Sequence, residues 1–157
     1  MGQIASWVGL VIGGLVALGF LSLVVRNLLA TRPRTLGVVD GRLRPCPATP
    51  NCVCTQDTDA EHAIAPLKFS GTPAEAVTRL KAALATLPRT SIVAERSDYL
   101  HVEFTTRLMR YVDDVEFLVD AAGKVIHFRS ASRIGYSDLG TNRRRMEAVR
   151  AAYESRP

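Results

Sequence analysis

The stretch YVDDVEFLVDAAGKVIHFRSASR, residues 111–133, decides the fold. Its two halves, residues 111–120 and 125–133, alternate apolar and polar side chains as half-buried strands do, and Ala121-Ala122-Gly123-Lys124 between them reads as a turn. A four-residue loop sets Asp120 opposite Val125. Val115, Phe117 and Val119 then share a face with Ile126, Phe128 and Ser130, and Glu116 lies opposite Arg129 on the other face.

Outward from this hairpin, residues 91–96 and 99–106 flank a break at Ser97-Asp98 and form a second one. Leu100, Val102 and Phe104 point one way; His101, Glu103 and Thr105 point the other. A short strand is expected at 63–69. Thr72-Pro73-Ala74-Glu75 is a helix start, with Thr72 as N-cap, Pro73 at the first helical position and Glu75 completing a capping box. This helix ends before Pro88 and buries Ala76, Val77, Leu80, Ala83, Leu84 and Leu87. A last helix over 141–154 lays Met146, Val149 and Tyr153 on the sheet. The expected fold class is α+β: an antiparallel sheet of about four to five strands with two helices on one face.

Ahead of this domain, residues 4–25 contain no charged side chain. At about 1.5 Å per residue they reach across the roughly 30 Å hydrocarbon core of a bilayer. The chain opens Met1-Gly2-Gln3 without the basic start of a cleaved signal, so an uncleaved single-pass anchor over 1–30 is expected, with Trp7 near one interface. Residues 31–62, with Pro33, Gly37, Gly41, Pro45, Pro47 and Pro50, read as a stiffened linker, and residues 63–157 as one soluble domain. The side of the membrane is contested. Five arginines in residues 26–44 favour the cytoplasm by charge bias, whereas the cysteine segment suits an exported, oxidising location.

Three separated motifs carry a family resemblance: Cys46-Pro47-x-x-Pro50-Asn51-Cys52-Val53, then residues 111–117, then Arg129-Ser130-Ala131-Ser132-Arg133-Ile134-Gly135-Tyr136-Ser137-Asp138-Leu139-Gly140-x-Asn142-Arg143-x-Arg145. With these the chain resembles the family catalogued as domain of unknown function 1499. The resemblance implies a small domain of bacterial envelope or membrane-associated proteins, with plastid relatives, and brings no agreed catalytic residues. Cys54 departs from the pattern, which usually has a small hydroxyl residue there.

The net charge of +5 is concentrated at the ends of the chain, and residues 129–157 hold seven arginines against Asp138, Glu147 and Glu154. Cations at 143–145 oppose the macrodipole of the last helix, and a bound anion would relieve the conflict. The candidate anion site is therefore Arg129, Ser130, Arg133, Tyr136, Asn142 and Arg143. The bland alternative makes Asp138 the helix cap and pairs the arginines with Asp113, Asp114 and Glu116 as structural ion pairs. A hydrolase-like or other enzyme reading would use Asp114 and Glu116 with Arg129 and Arg133, although two carboxylates on one face are too few for a metal site. His101 and His127 read as surface histidines.

Cys46, Cys52 and Cys54 admit a Cys46–Cys52 disulfide, free thiols, or a zinc site completed by His62. No cofactor or metal is expected. Nucleic acid is rejected as a partner, because aromatic residues do not interleave with the basic runs. The leading expectation is a non-enzymatic, membrane-anchored module whose partners are membrane lipid and an anionic small molecule or acidic protein. A structural or assembly role in the cell envelope is the further alternative.

Overall fold

The computed structural model describes residues 2–156. A long apolar helix, α1 (Gly2–Leu28), leads into a short ribbon of β1 (Val38–Val39) and β2 (Arg42–Leu43). The domain then runs β3 (Cys52–Cys54), β4 (Leu67–Lys68), α2 (Pro73–Leu84), β5 (Thr90–Glu95), β6 (Tyr99–Thr105), β7 (Val112–Asp120), β8 (Val125–Ser132) and α3 (Thr141–Glu154). The fold is α+β around an open antiparallel sheet. Its order is β3-β8-β7-β6-β5, and β4 shares the outer edge of β8 with β3.

The central hairpin has the expected register, with Asp120 opposite Val125, Phe117 opposite Phe128 and Glu116 opposite Arg129. The capping box of α2 forms as its sequence predicts. Thr72 Oγ1 accepts from the Glu75 N–H, and Glu75 Oε2 accepts from the Thr72 N–H at 2.7 Å.

Both helices lie on one face of the sheet. Leu80 and Leu84 of α2 and Met146, Val149 and Tyr153 of α3 close over Val102, Val115, Phe117, Ile126 and Phe128 in a single apolar core. Each large side chain fully buried there contributes about 1.5–3 kcal/mol relative to leaving it in water. Arg79 ties the helices together by donating to the Tyr153 carbonyl at 2.9 Å while stacking on its ring.

The stretch 31–62, expected to be a linker, is built into the domain. Residues 30–47 form a strap across the second face of the sheet, and β3 extends the sheet by one strand, giving six rather than four or five. Leu43 and Val38 pack on Tyr99 and Leu118. Leu43 N–H donates to Gln56, Cys46 N–H donates to Asp57, and Cys46 is bonded to Cys52. The prolines prevent a helix, as expected, yet an extended chain without helical hydrogen bonds is also what lies flat on a sheet. Gly37 sits at φ 108°, a conformation open to glycine, and from there its N–H reaches Glu116 Oε1 at 2.5 Å.

Candidate functional site

The strap turns the polar face of the sheet into an interior. Period-two alternation places Asp114 and Glu116 of β7, His101 and Glu103 of β6 and Arg129 of β8 on this face, and all but the half-buried Glu103 are buried. His101, expected at the surface, is enclosed. Burying charge this way is costly unless each group is paired.

The pairing runs through Arg133. It grips Asp114 with two bonds, Nε to Oδ2 at 3.0 Å and Nη2 to Oδ1 at 2.6 Å, and Nη2 also donates to Glu103 at 2.6 Å. His101 Nε2 lies 2.9 Å from Asp114 Oδ1, and Arg32 of the strap donates to Glu103 at 2.6 Å. Burial alone would raise the Asp114 pKa, but hydrogen bonds from His101 and Arg133 outweigh it and hold the carboxyl below its usual range. Glu103 is lowered in the same way: burial opposes, and Arg32 and Arg133 prevail. The paired carboxylate raises Arg133.

His101, Glu103 and Asp114 offer ligand atoms within 4.8 Å of one another, close enough for a metal. The guanidinium of Arg133 already contacts both carboxylates and is the cation of this cluster. Asp114, ionised and held by Arg133, is a weak base. Among the described residues, His101 hydrogen-bonds to Asp114 alone. An Asp–His pair is thus present without an aligned hydroxyl or thiol.

Arg129 differs from Arg133. It is 8% exposed, its Nη1 meets Glu116 Oε2 at a long 3.5 Å, and its Nε has no partner among the described residues. Glu116, fully buried, is already served by the Tyr99 hydroxyl at 2.8 Å and the Gly37 N–H. Burial first, and then the charge of Glu116, raises the Tyr99 pKa, so the phenol stays a donor. Arg129 lines a cavity of about 540 Å³ between strap and sheet, together with Arg44, Arg133, Asp114, Cys46 and Gly135. Three arginines and one acidic residue line that wall, and the volume is that of a small-ligand cleft.

The remaining sequence-predicted residues have other employment. Asp138 accepts from the Gly140 and Asn142 N–H groups at 2.9 and 2.6 Å, so the start of α3 carries its own carboxylate. Arg143 donates to the carbonyls of Glu61 and Ala63, Arg144 to that of Leu139, and Arg145 to Asp113 and Asn142 while lying over Phe104. Ser130 donates to Asn142 at 2.5 Å, and Asn142 donates to Ser132 and the Asn51 carbonyl. Asn51 in turn donates to the Gly135 carbonyl at 2.6 Å. These asparagines lock the Cys46–Cys52 segment to the β8–α3 loop. Tyr136 is exposed and away from the cavity. The geometry therefore keeps Arg129 and Arg133 together and adds Arg44, while Ser130, Asn142 and Arg143 hold the fold.

Cys46 and Cys52 form a disulfide that borders the cavity; Cys54 is free and buried, and burial raises its thiol pKa. The disulfide consumes two of the three thiols, so the zinc alternative does not assemble, and His62 Nδ1 instead lies 3.0 Å from the Cys52 carbonyl.

The chain matches the model of a family described as Protein of unknown function (DUF1499) over residues 42–153. It belongs to that family. The DUF1499 match begins in β2 and takes in the disulfide, the cavity wall from Arg44 onward and all of β3 to β8. Arg32 and Gly37, which close the polar face, lie ahead of the DUF1499 region. No curated protein matches the chain.

Proposed function

We propose that this DUF1499 chain is a membrane-anchored module that binds a small oxyanion in the cavity beneath its strap. Arg129 makes the principal contact and Arg44 guards the mouth. Arg129 carries the reading: it is a buried guanidinium with five donors, one long internal contact and a cavity beside it. A phosphate or carboxylate oxygen there would satisfy donors that the protein leaves idle. In support of the anchor, residues Trp7–Leu28 form one helix of 22 residues long and apolar enough to cross a membrane. Oxidation of Cys46 and Cys52 favours an exported domain.

The test titrates the full chain, in discs of zwitterionic lipid, with inorganic phosphate and in parallel with discs containing an anionic phospholipid. A ligand at a hundred times its Kd should stabilise the fold by about 2.7 kcal/mol. Arg129→Gln and Arg44→Ala should each lose that increment; Arg44 is exposed, so its removal leaves the fold intact. Equal stabilisation of all three proteins removes the proposal. A response to phosphate identifies a free anion, and a response only to anionic discs identifies a head group.

A further inference from the structure

We infer that the end of the sheet bearing the β6–β7 and β8–α3 loops seats on the anionic surface of a bilayer, as a second membrane contact beside α1. The inference rests on α1 being a membrane span and is independent of the cavity. α1 projects from the domain with its apolar side chains bare, and near its end only Asn27 is buried. Asn27 Nδ2 donates to the Met109 carbonyl at 2.8 Å, Arg133 Nη1 reaches the Ala30 carbonyl, and Arg32 holds Glu103. These contacts fix the last turn of the anchor against one end of the sheet. That end must face the lipid.

The side chains presented there fit the surface they meet. Beyond residue 29, the most exposed large apolar side chains are Leu108 at 75%, Tyr136 at 72% and Leu139 at 84%. Leu108 is in the β6–β7 loop, and the other two are in the β8–α3 loop. The loops face each other across a groove lined by Thr106, Tyr111, Ile134 and Leu139. Arg107 and Arg110 flank Leu108, both exposed and, among the described residues, without an acidic partner. Arg110 and Leu139 are held at positive φ, 56° and 53°, which non-glycine residues seldom adopt. Apolar tips with unpaired arginines beside them, next to the end of a span, match the composition of interfacial anchors. The β7–β8 turn at the opposite end, Ala121–Lys124, exposes no large apolar side chain, and Val39 of the nearby ribbon is exposed only to 43%.

The experiment uses the full chain in vesicles of phosphatidylcholine with or without phosphatidylglycerol. The sole tryptophan, Trp7, is replaced by Phe, and a single Trp is placed by Leu108→Trp, Leu139→Trp or, as the far-end reference, Ala122→Trp. Bromine-labelled lipids are the quencher, and the native Trp7 reports separately on α1. Blue-shifted, quenched emission at positions 108 and 139 but not 122, stronger with anionic lipid, is the expected result. Arg107→Ala and Arg110→Ala should each lower the ratio of seated to free domain about fivefold. Quenching of Trp7 with none at 108 and 139 overturns the seating surface and leaves the span standing. Quenching indifferent to lipid charge and to both arginines overturns its anionic character. An unquenched Trp7 removes the anchor and the inference together.

Discussion

Replacing Arg133 by Met is the sharpest test of how the polar interior is held. The guanidinium is the shared partner of Asp114, 1% exposed, and Glu103, and it supplies three of the hydrogen bonds these carboxylates receive. After its loss, among the described residues, Asp114 keeps His101 alone and Glu103 keeps Arg32 alone. Removing one partner of a buried pair costs about 3–5 kcal/mol, against a total stability of about 5–15 kcal/mol for a domain. Urea unfolding of the full chain in micelles should show a midpoint lowered by about 2 M at unchanged slope. The loss should also depend on pH. Both carboxyls have lowered pKa values in the folded state, so their stabilisation is complete above the unfolded values near 4 and disappears as pH falls through the folded ones. The gap between the native chain and Arg133→Met should therefore narrow below about pH 4. A gap under about 1 kcal/mol at pH 7, or one that persists undiminished into acid, would refute the reasoning.

Other changes separate fold from site. Arg143→Ala should leave phosphate binding unchanged in the disc titration, because its donors serve the carbonyls of Glu61 and Ala63; lost binding would return the site to the start of α3. Gly37→Ala should cost about 1–3 kcal/mol in the same urea assay through backbone strain, and a neutral result would mean that the strap is free to shift. Replacing Cys46 and Cys52 by serine should cost about 2 kcal/mol for so short a loop, read as a midpoint shift. In intact cells these two thiols should resist alkylation until reductant is added, with Cys54 unreactive until the protein unfolds; immediate labelling of Cys46 would place the domain in a reducing compartment.

The parts legible from the chain were those set by local rules. Turn length fixed the Asp120–Val125 register, and the Thr72–Glu75 spacing marked the start of α2. The strap is not legible in the chain because prolines announce the absence of a helix and say nothing about what an extended segment lies on. Asp114 and Glu116 alternate with apolar residues, which reads as a solvent face; their burial is made tolerable by partners distant in the chain, Arg133 and His101 for Asp114 and Tyr99, Gly37 and Arg129 for Glu116. The register sets Glu116 against Arg129 in the sequence too, but an ion pair across two strands reads the same on an open face as on a covered one. The roles of Arg143 and Arg144 are hidden for another reason: they are bound to main-chain carbonyls, acceptors that leave no mark in the amino-acid order.

The stitching of Ala30 and Arg32 to Arg133 and Glu103 has a mechanical consequence. A domain on a slack leash would tumble above the lipid and show every side to its surroundings. On the anchor proposed above, this one would move with α1, so lateral diffusion would carry it upright, with the β7–β8 turn outermost. Neighbours in the plane then encounter its flanks, among them the unpaired edge of β5. A pull on the helix would be felt first by the charged interior rather than by the apolar core.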